Sequence, residues 1–204
     1  MDRKYLKEFV TFPDNTIMLI LVAPLIFYTL LNTLHYGTWI AFIIGAATYG
    51  LSEYLVHRFL FHMKTPTNPF LLKTIKRLHF DHHVDPNNLK LLFLPLWFSL
   101  PNFIIASSIF YLITVNLQLT IAFLAGIMVY FLYYEWKHFV AHKPIQPRTE
   151  MGRKIKKAHL WHHFKNENYW FGVTHTSLDK TLGTFKDQKL VEKSETARNL
   201  EERA

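Results

Sequence analysis

The chain has 204 residues, half of them apolar, with 18 phenylalanines, 12 histidines, no cysteine and a formal charge of +8. That length suits one substantial domain and is short for two independent ones, and the missing cysteine excludes disulfides and thiolate metal sites, so any metal must be held by nitrogen or oxygen. The basic residues flank apolar segments and form no stripe with interleaved aromatics, which points to a membrane surface and leaves nucleic acid out of the expected partners.

In chain order, Arg3, Lys4 and Lys7 precede a run without Asp, Glu, Lys or Arg over residues 15–52, and a second such run covers 91–134. Each is about twice the roughly 20 residues that one membrane-spanning helix needs. Each is also polar in the middle, at 32–38 (NTLHYGT) and 116–120 (NLQLT). Four membrane helices in two hairpins are therefore predicted, near 15–33, 38–57, 94–114 and 119–138, with Pro24, Pro95 and Pro101 placed to kink them. The first run lacks a small-residue cleavage site and is closely followed by another span, so it reads as an anchor and not as a removed signal peptide.

Lysine and arginine separate the two sides. The segment after the first hairpin carries Arg58, Lys64, Lys73, Lys76, Arg77 and Lys90, and the segment after the second carries Lys137, Lys143, Arg148, Arg153, Lys154, Lys156 and Lys157. The hairpin turns carry none, so both termini and the middle segment are expected on the cytoplasmic side. Residues 1–185 read as a single membrane domain. The polar stretch 186–204 reads as a surface helix or frayed tail without an assigned function.

Ten histidines stand in four spaced groups: His57 and His62; His79, His82 and His83; His138 and His142; His159, His162 and His163. His57 and His138 are 81 residues apart and the other four pairs 80 apart, so the chain reads as two parallel halves, each a hairpin followed by five imidazoles. On a helix of 3.6 residues per turn, positions i, i+3 and i+4 fall within about 100° of arc, so each H-x-x-H-H presents three rings to one cavity. His138 and His142 also share a face. His57 and His62 would lie about 140° apart on an ideal helix, so either the helix loosens there before Pro66 or the two rings reach different metals.

One ion takes four to six ligands, so ten donors imply two ions with about five nitrogens each. Glu53, Asp81, Asp85 and Glu135 are the nearby carboxylates expected to accept the distal ring N–H groups. His35 is expected to be an interfacial residue in the outer turn, and His175 belongs to no spaced group. The expected fold is all-α and integral to the membrane: four transmembrane helices in two hairpins, with a cytoplasmic helical cap carrying a histidine-rich dimetal site.

Imidazole suits zinc, copper and iron alike. No H-E-x-x-H of the metalloprotease kind occurs. A paired-metal site beside lipid is placed to attack an alkyl chain, and an unactivated C–H bond requires an oxidant such as iron-activated dioxygen. The boxes H-RFLF-H, H-FD-HH, H-FVA-H and H-LW-HH, with the closing stretch FGVTHTSLDKTLGT (171–184), resemble those of the fatty acid hydroxylase and sterol desaturase superfamily, most closely its fatty acid 2-hydroxylase branch.

That resemblance implies a membrane di-iron oxygenase which uses dioxygen and two electrons to hydroxylate a lipid acyl chain next to its carboxyl carbon. It assigns His57, His62, His79, His82, His83, His138, His142, His159, His162 and His163 as ligands of two iron ions, with zinc able to occupy isolated preparations and no catalytic residue expected beyond the ligands. Asp179 matches the family's closing aspartate, for which a structural role near the site or an ordinary turn or cap carboxylate are both open readings. Tyr169, Trp170 and Phe171 are read as acyl-channel lining or as interfacial anchors. The chain shows no appended haem-cytochrome domain, so electrons are expected from a separate donor, a ferredoxin or a b-type cytochrome with its reductase. A bacterial inner membrane is expected in preference to the endoplasmic reticulum. The alternatives are a sterol or carotenoid hydroxylase or desaturase of the same superfamily, and a non-enzymatic membrane metal or haem protein.

Overall fold

The computed structural model describes residues 3–32 and 36–203, and all regular structure among them is helical. A short helix α1 (Arg3–Val10) leads into α2 (Pro13–Leu31) and α3 (Tyr36–Leu55). Then α4 (Pro69–Ile75), α5 (Asp81–Val84) and α6 (Leu89–Leu92) precede α7 (Leu96–Thr114) and α8 (Leu117–His142). After these come α9 (Glu150–Phe164) and a single turn, α10 (Ser177–Thr181). Two stretches are π-helical, Val56–Phe61 directly after α3 and Lys76–Phe80 between α4 and α5.

Among the described residues, four segments are long and apolar enough to cross a membrane: Pro13–Leu31, Tyr36–Phe61, Leu89–Thr114 and Leu117–His142. They coincide with the four spans read from the uncharged runs, and they make this a multi-pass membrane protein. Their outer faces bear bare apolar side chains such as Ile20, Phe27, Ile104, Leu112 and Ile113, all more than half exposed. Water penalises such a surface and hydrocarbon does not. Pro24 and Pro101 lie inside α2 and α7 as expected, whereas Pro95 does not kink a helix but stands at the N-cap of α7, where its missing N–H costs nothing. His35, expected to be interfacial, lies outside the described residues.

The chain divides into two compact units, with boundaries that fall inside α3 and α8. The first comprises Met1–Leu51 and Leu94–Glu135. Here α3 and α8 cross at two glycines: a Cβ on Gly45 would stand 2.0 Å from the Phe123 carbonyl oxygen, and one on Gly126 would stand 2.0 Å from that of Phe42. Close backbone approach at small residues is how membrane helices gain dispersion contact without a hydrophobic drive. The crossing is reciprocal, since Gly45 with Gly126 and Phe42 with Phe123 are each 81 residues apart, the spacing that also separates His57 from His138. Tyr49 packs beside it on Tyr130, Phe131, Tyr134 and Phe103.

The second unit comprises Ser52–Phe93 and Trp136–Ala204 and holds all ten spaced histidines. Helices α4 and α9 start on side-chain caps: Asn68 accepts from the amides of Phe70 and Leu71 ahead of α4, and Thr149 accepts from Gly152 N ahead of α9. The carbonyls of Val140, Lys143 and Ile145, at and beyond the end of α8, receive the Lys156 ammonium at 2.5–2.9 Å. Over its described residues, 186–203, the polar stretch is neither a surface helix nor frayed. Leu200 is fully buried against Ile75 and Phe80, and Val191 packs on Ala158 and Trp170. Its composition is charged, but these two apolar residues supply the anchors.

Candidate metal centre

The first box depends on the π-helix. Its amide at His62 reaches the carbonyl of His57, five residues back, at 3.1 Å. Widening the turn from four residues to five absorbs the extra residue that distinguishes H-x4-H from H-x3-H. Consequently the rings of His57 and His62 sit 5.0 Å apart, much as His138 and His142 sit 5.2 Å apart on regular α8. The helix loosens at the position expected, and the two rings share one cluster.

Ten rings form two sets of five. His57, His62, His79, His83 and His162 make one, and His82, His138, His142, His159 and His163 the other; within each set the donor atoms all lie within 4.8 Å of one another. Four members of each set come from one half of the chain and the fifth from the other half. The exchanged residues, His82 and His162, are the equivalent middle members of the two H-x-x-H-H boxes. Nine of the ten rings are buried and His142 is partly so. The sets adjoin, with His83 of one stacked on His163 of the other at 4.0 Å.

The chemistry of the donors tests whether they fit a metal. His79 Nε2 lies 3.1, 2.9 and 3.0 Å from the Nε2 atoms of His57, His62 and His83. His162 Nε2 lies 2.9 Å from that of His62, and His142 Nε2 lies 2.9 Å from that of His159. His57, His83 and His162 donate Nδ1–H to the carbonyls of Phe171, Ala197 and Tyr169 at 2.5, 2.8 and 2.7 Å, so their Nε2 atoms carry lone pairs when neutral. One proton cannot satisfy such a convergence, but one cation can. Two nitrogens about 2.1 Å from an ion and at right angles across it stand about 3.0 Å apart, which is the spacing found. Each set therefore could hold a metal ion.

In the other set, both ring nitrogens of His82 and of His163, and Nδ1 of His159, are buried without a hydrogen-bond partner among the described residues. Burial first, and neighbouring imidazoles second, hold His62, His79, His82, His159 and His163 well below the ordinary histidine range. Burial pushes His83 down to about 3. These rings are neutral near pH 7, the state that ligates.

At His57, His83 and His162 the distal N–H meets a backbone carbonyl and not one of the expected carboxylates. Glu53 Oε1 accepts from the amide and hydroxyl of Thr174 at 3.0 and 2.7 Å, Glu135 from Leu94 N at 3.0 Å, and Asp81 pairs with Lys76 at 3.6 Å. Asp85 offers its main-chain carbonyl to Asn88 N. Asp179 is structural: fully buried, it accepts from Phe171 N at 2.8 Å, Gly172 N at 2.9 Å and Thr184 Oγ1 at 2.7 Å. It thus fixes the peptide whose carbonyl orients His57. No side-chain cap bond is made at α10.

Trp170 is buried at φ +58°, a conformation costly for a bulky residue, with its indole N–H on Lys186 O. Its neighbour Phe171 lays its ring 5.3 Å from both His62 and His162. Both residues are packing elements of the site. His175 bonds Ser177 Oγ through Nδ1 at 2.6 Å and joins neither set. Sequence reasoning missed the contribution of residues 191–203, because carbonyl acceptors leave no mark on side-chain patterns.

Residues 42–184 match the family model described as fatty acid hydroxylase. The chain is 36% identical over 151 residues to the ceramide very long chain fatty acid hydroxylase SCS7 of Saccharomyces cerevisiae, covering 71% of this chain and 37% of the yeast protein. It is 32% identical to the dihydroceramide fatty acyl 2-hydroxylase FAH2 of Arabidopsis thaliana, covering 77% of this chain and 64% of that one. It is 30% identical to the human fatty acid 2-hydroxylase, covering 72% and 40%. The chain thus spans less than two thirds of the length of these relatives. Among solved structures, full-length scs7p, with only its hydroxylase domain visible, superposes with a TM-score of 0.71 at 27% identity, covering 87% of this chain and 69% of that one. These relatives are eukaryotic and lend no support to the expectation of a bacterial inner membrane.

Proposed function

Because the chain belongs to the fatty acid hydroxylase family, we propose that it is a membrane di-iron oxygenase that hydroxylates a lipid acyl chain at its 2-position. The overall change is R–H + O2 + 2 electrons + 2 H+ giving R–OH + H2O, with the electrons supplied by a separate donor, a ferredoxin or a b-type cytochrome and its reductase. The single observation that carries this reading is the pair of five-histidine sets with converging Nε2 lone pairs.

In this reading His57, His62, His79, His83 and His162 hold one iron and His82, His138, His142, His159 and His163 the other. Iron held there would activate dioxygen, the oxidant for an unactivated C–H bond; zinc, which has no redox chemistry, fits the same donors and would leave the enzyme idle. The chain's own residues do the rest. Carbonyls of Tyr169, Phe171 and Ala197 fix ring tautomers so that Nε2 faces inward. The burial of nine rings keeps bulk water from the centre. The names of the yeast and Arabidopsis relatives support an amide-linked acyl chain on a sphingoid-type base as the substrate. The distribution of lysine and arginine supports termini on the cytoplasmic side.

Expression with iron and a reductase, followed by mass spectrometry of extracted lipids under isotopically heavy dioxygen, tests the proposal. Labelled 2-hydroxyacyl lipid is expected. Labelled sterol or carotenoid instead would assign another branch of the superfamily, and no oxygenated lipid at all would remove the activity.

A further inference from the structure

The two sets are not held alike. The rings of His57 and His162 are oriented by carbonyls 171 and 169 of the loop after α9, and a second support comes from the chain's last described residues. The Ala197 carbonyl takes His83 Nδ1–H at 2.8 Å. Arg198 clamps the same turn, donating Nε to His83 O at 2.9 Å and Nη2 to Val84 O at 2.6 Å. Arg203 donates to the His62 carbonyl at 3.0 Å and to Asn168 Oδ1 at 3.0 Å, and pairs with buried Glu167 at 3.7 Å. Both histidines gripped this way belong to the His57 set. In the His82 set, three rings have Nδ1 atoms buried without a partner among the described residues.

We infer that residues 191–203 are a positioning strap for the His57 set, and that they make the two sets unequal in how firmly each holds a metal ion. The physical basis is that a ligand whose distal N–H is already fixed loses less freedom on binding and is more basic at Nε2. A ring without such a partner is oriented by packing alone and is less basic at its ligating nitrogen, so an ion in the His82 set exchanges faster. The strap acts on a neighbouring ring and touches no reacting atom. The inference rests on the metal reading above.

Zinc-loaded protein in detergent, challenged with excess EDTA while released zinc is followed with a chromophoric indicator, tests it. Two phases of equal amplitude are expected. His159→Ala should abolish the fast phase and His57→Ala the slow one. Arg198→Met, which leaves the buried anchors Val191 and Leu200 in place, should speed the slow phase about 10-fold or more and leave the fast phase unchanged, with Arg198→Lys lying between. Arg203→Lys, which keeps the charge beside Glu167 but loses the fork, should act in the same direction; melting of the metal-free proteins confirms folding. A single phase releasing both ions, an unchanged slow phase in both arginine variants, or equal acceleration of both phases overturns the strap while the metal reading stands. Wild-type protein that takes up no zinc overturns the metal reading itself.

Discussion

Replacing His162 by alanine probes the exchange of ligands between the halves. His162 lies on α9 between His159 and His163, which belong to the other set, yet its Nε2 is 2.9 Å from that of His62. The substitution should therefore weaken the ion among His57, His62, His79 and His83 and spare its neighbour. Disturbing a residue that merely orients a ligand costs 10–100-fold in affinity, so losing a ligand should cost at least about 100-fold, or ~2.7 kcal/mol. The ring is fully buried, and its removal adds a packing cost of roughly 2–4 kcal/mol. That second cost lowers the melting temperature of the metal-free protein without favouring either ion, so the two effects separate.

Metal per chain, measured by mass spectrometry after dialysis against limiting metal, should fall from about two to about one. Adding His57→Ala should remove no further ion, because both residues serve the same set. Adding His159→Ala should remove the last. The reverse pattern, with one ion surviving His162→Ala/His159→Ala and none surviving His162→Ala/His57→Ala, would mean that each half of the chain holds its own ion, and the grouping would be wrong.

Acid should destabilise the protein in a defined window. The buried rings outside the spans have folded-state pKa values below the unfolded value near 6.5, so the unfolded chain takes up protons first as pH falls. Their contribution to stability is whole above about pH 6.5 and declines below it by about 1.4 kcal/mol per pH unit per ring, and that of His83 levels off near its folded value of about 3. Thermal melts and metal content should fall together between pH 6.5 and 5; flat profiles there would contradict neutral buried rings. Asp179→Ala leaves two buried amides without acceptors, so a loss of roughly 2–5 kcal/mol is expected, with weaker metal retention through Phe171 and His57, both read by chelator-challenged melting. Gly126→Leu forces α8 off the Phe42 carbonyl and should abolish the folded state in detergent, whereas Ser108→Ala, on α7, should not; wild-type melting of the glycine variant would refute the close crossing.

Much of this architecture was legible because the bilayer imposes long uncharged runs and imidazole spacing reports helix faces. The five-residue interval between His57 and His62 even marked where the helix must widen. What spacing cannot report is which ring crosses to the other set: His82 and His83 are neighbours in sequence, yet they face different clusters because adjacent helical positions diverge by about 100°. Nor could residue types reveal that the acceptors are main-chain carbonyls of residues 169, 171 and 197, a property of backbone path alone. The tail misled for a related reason. Its charged composition suggested a solvated end, but Arg198 and Arg203 point inward onto carbonyls, and Val191 and Leu200 suffice to pin it.

Anomalous scattering from crystals of iron-loaded protein is the most direct measurement. Two iron peaks are expected, one about 2.1 Å from the Nε2 atoms of His57, His62, His79, His83 and His162, the other equally close to ring nitrogens of His82, His138, His142, His159 and His163. A lone peak, or iron bound by carboxylates while these rings point elsewhere, would contradict the account.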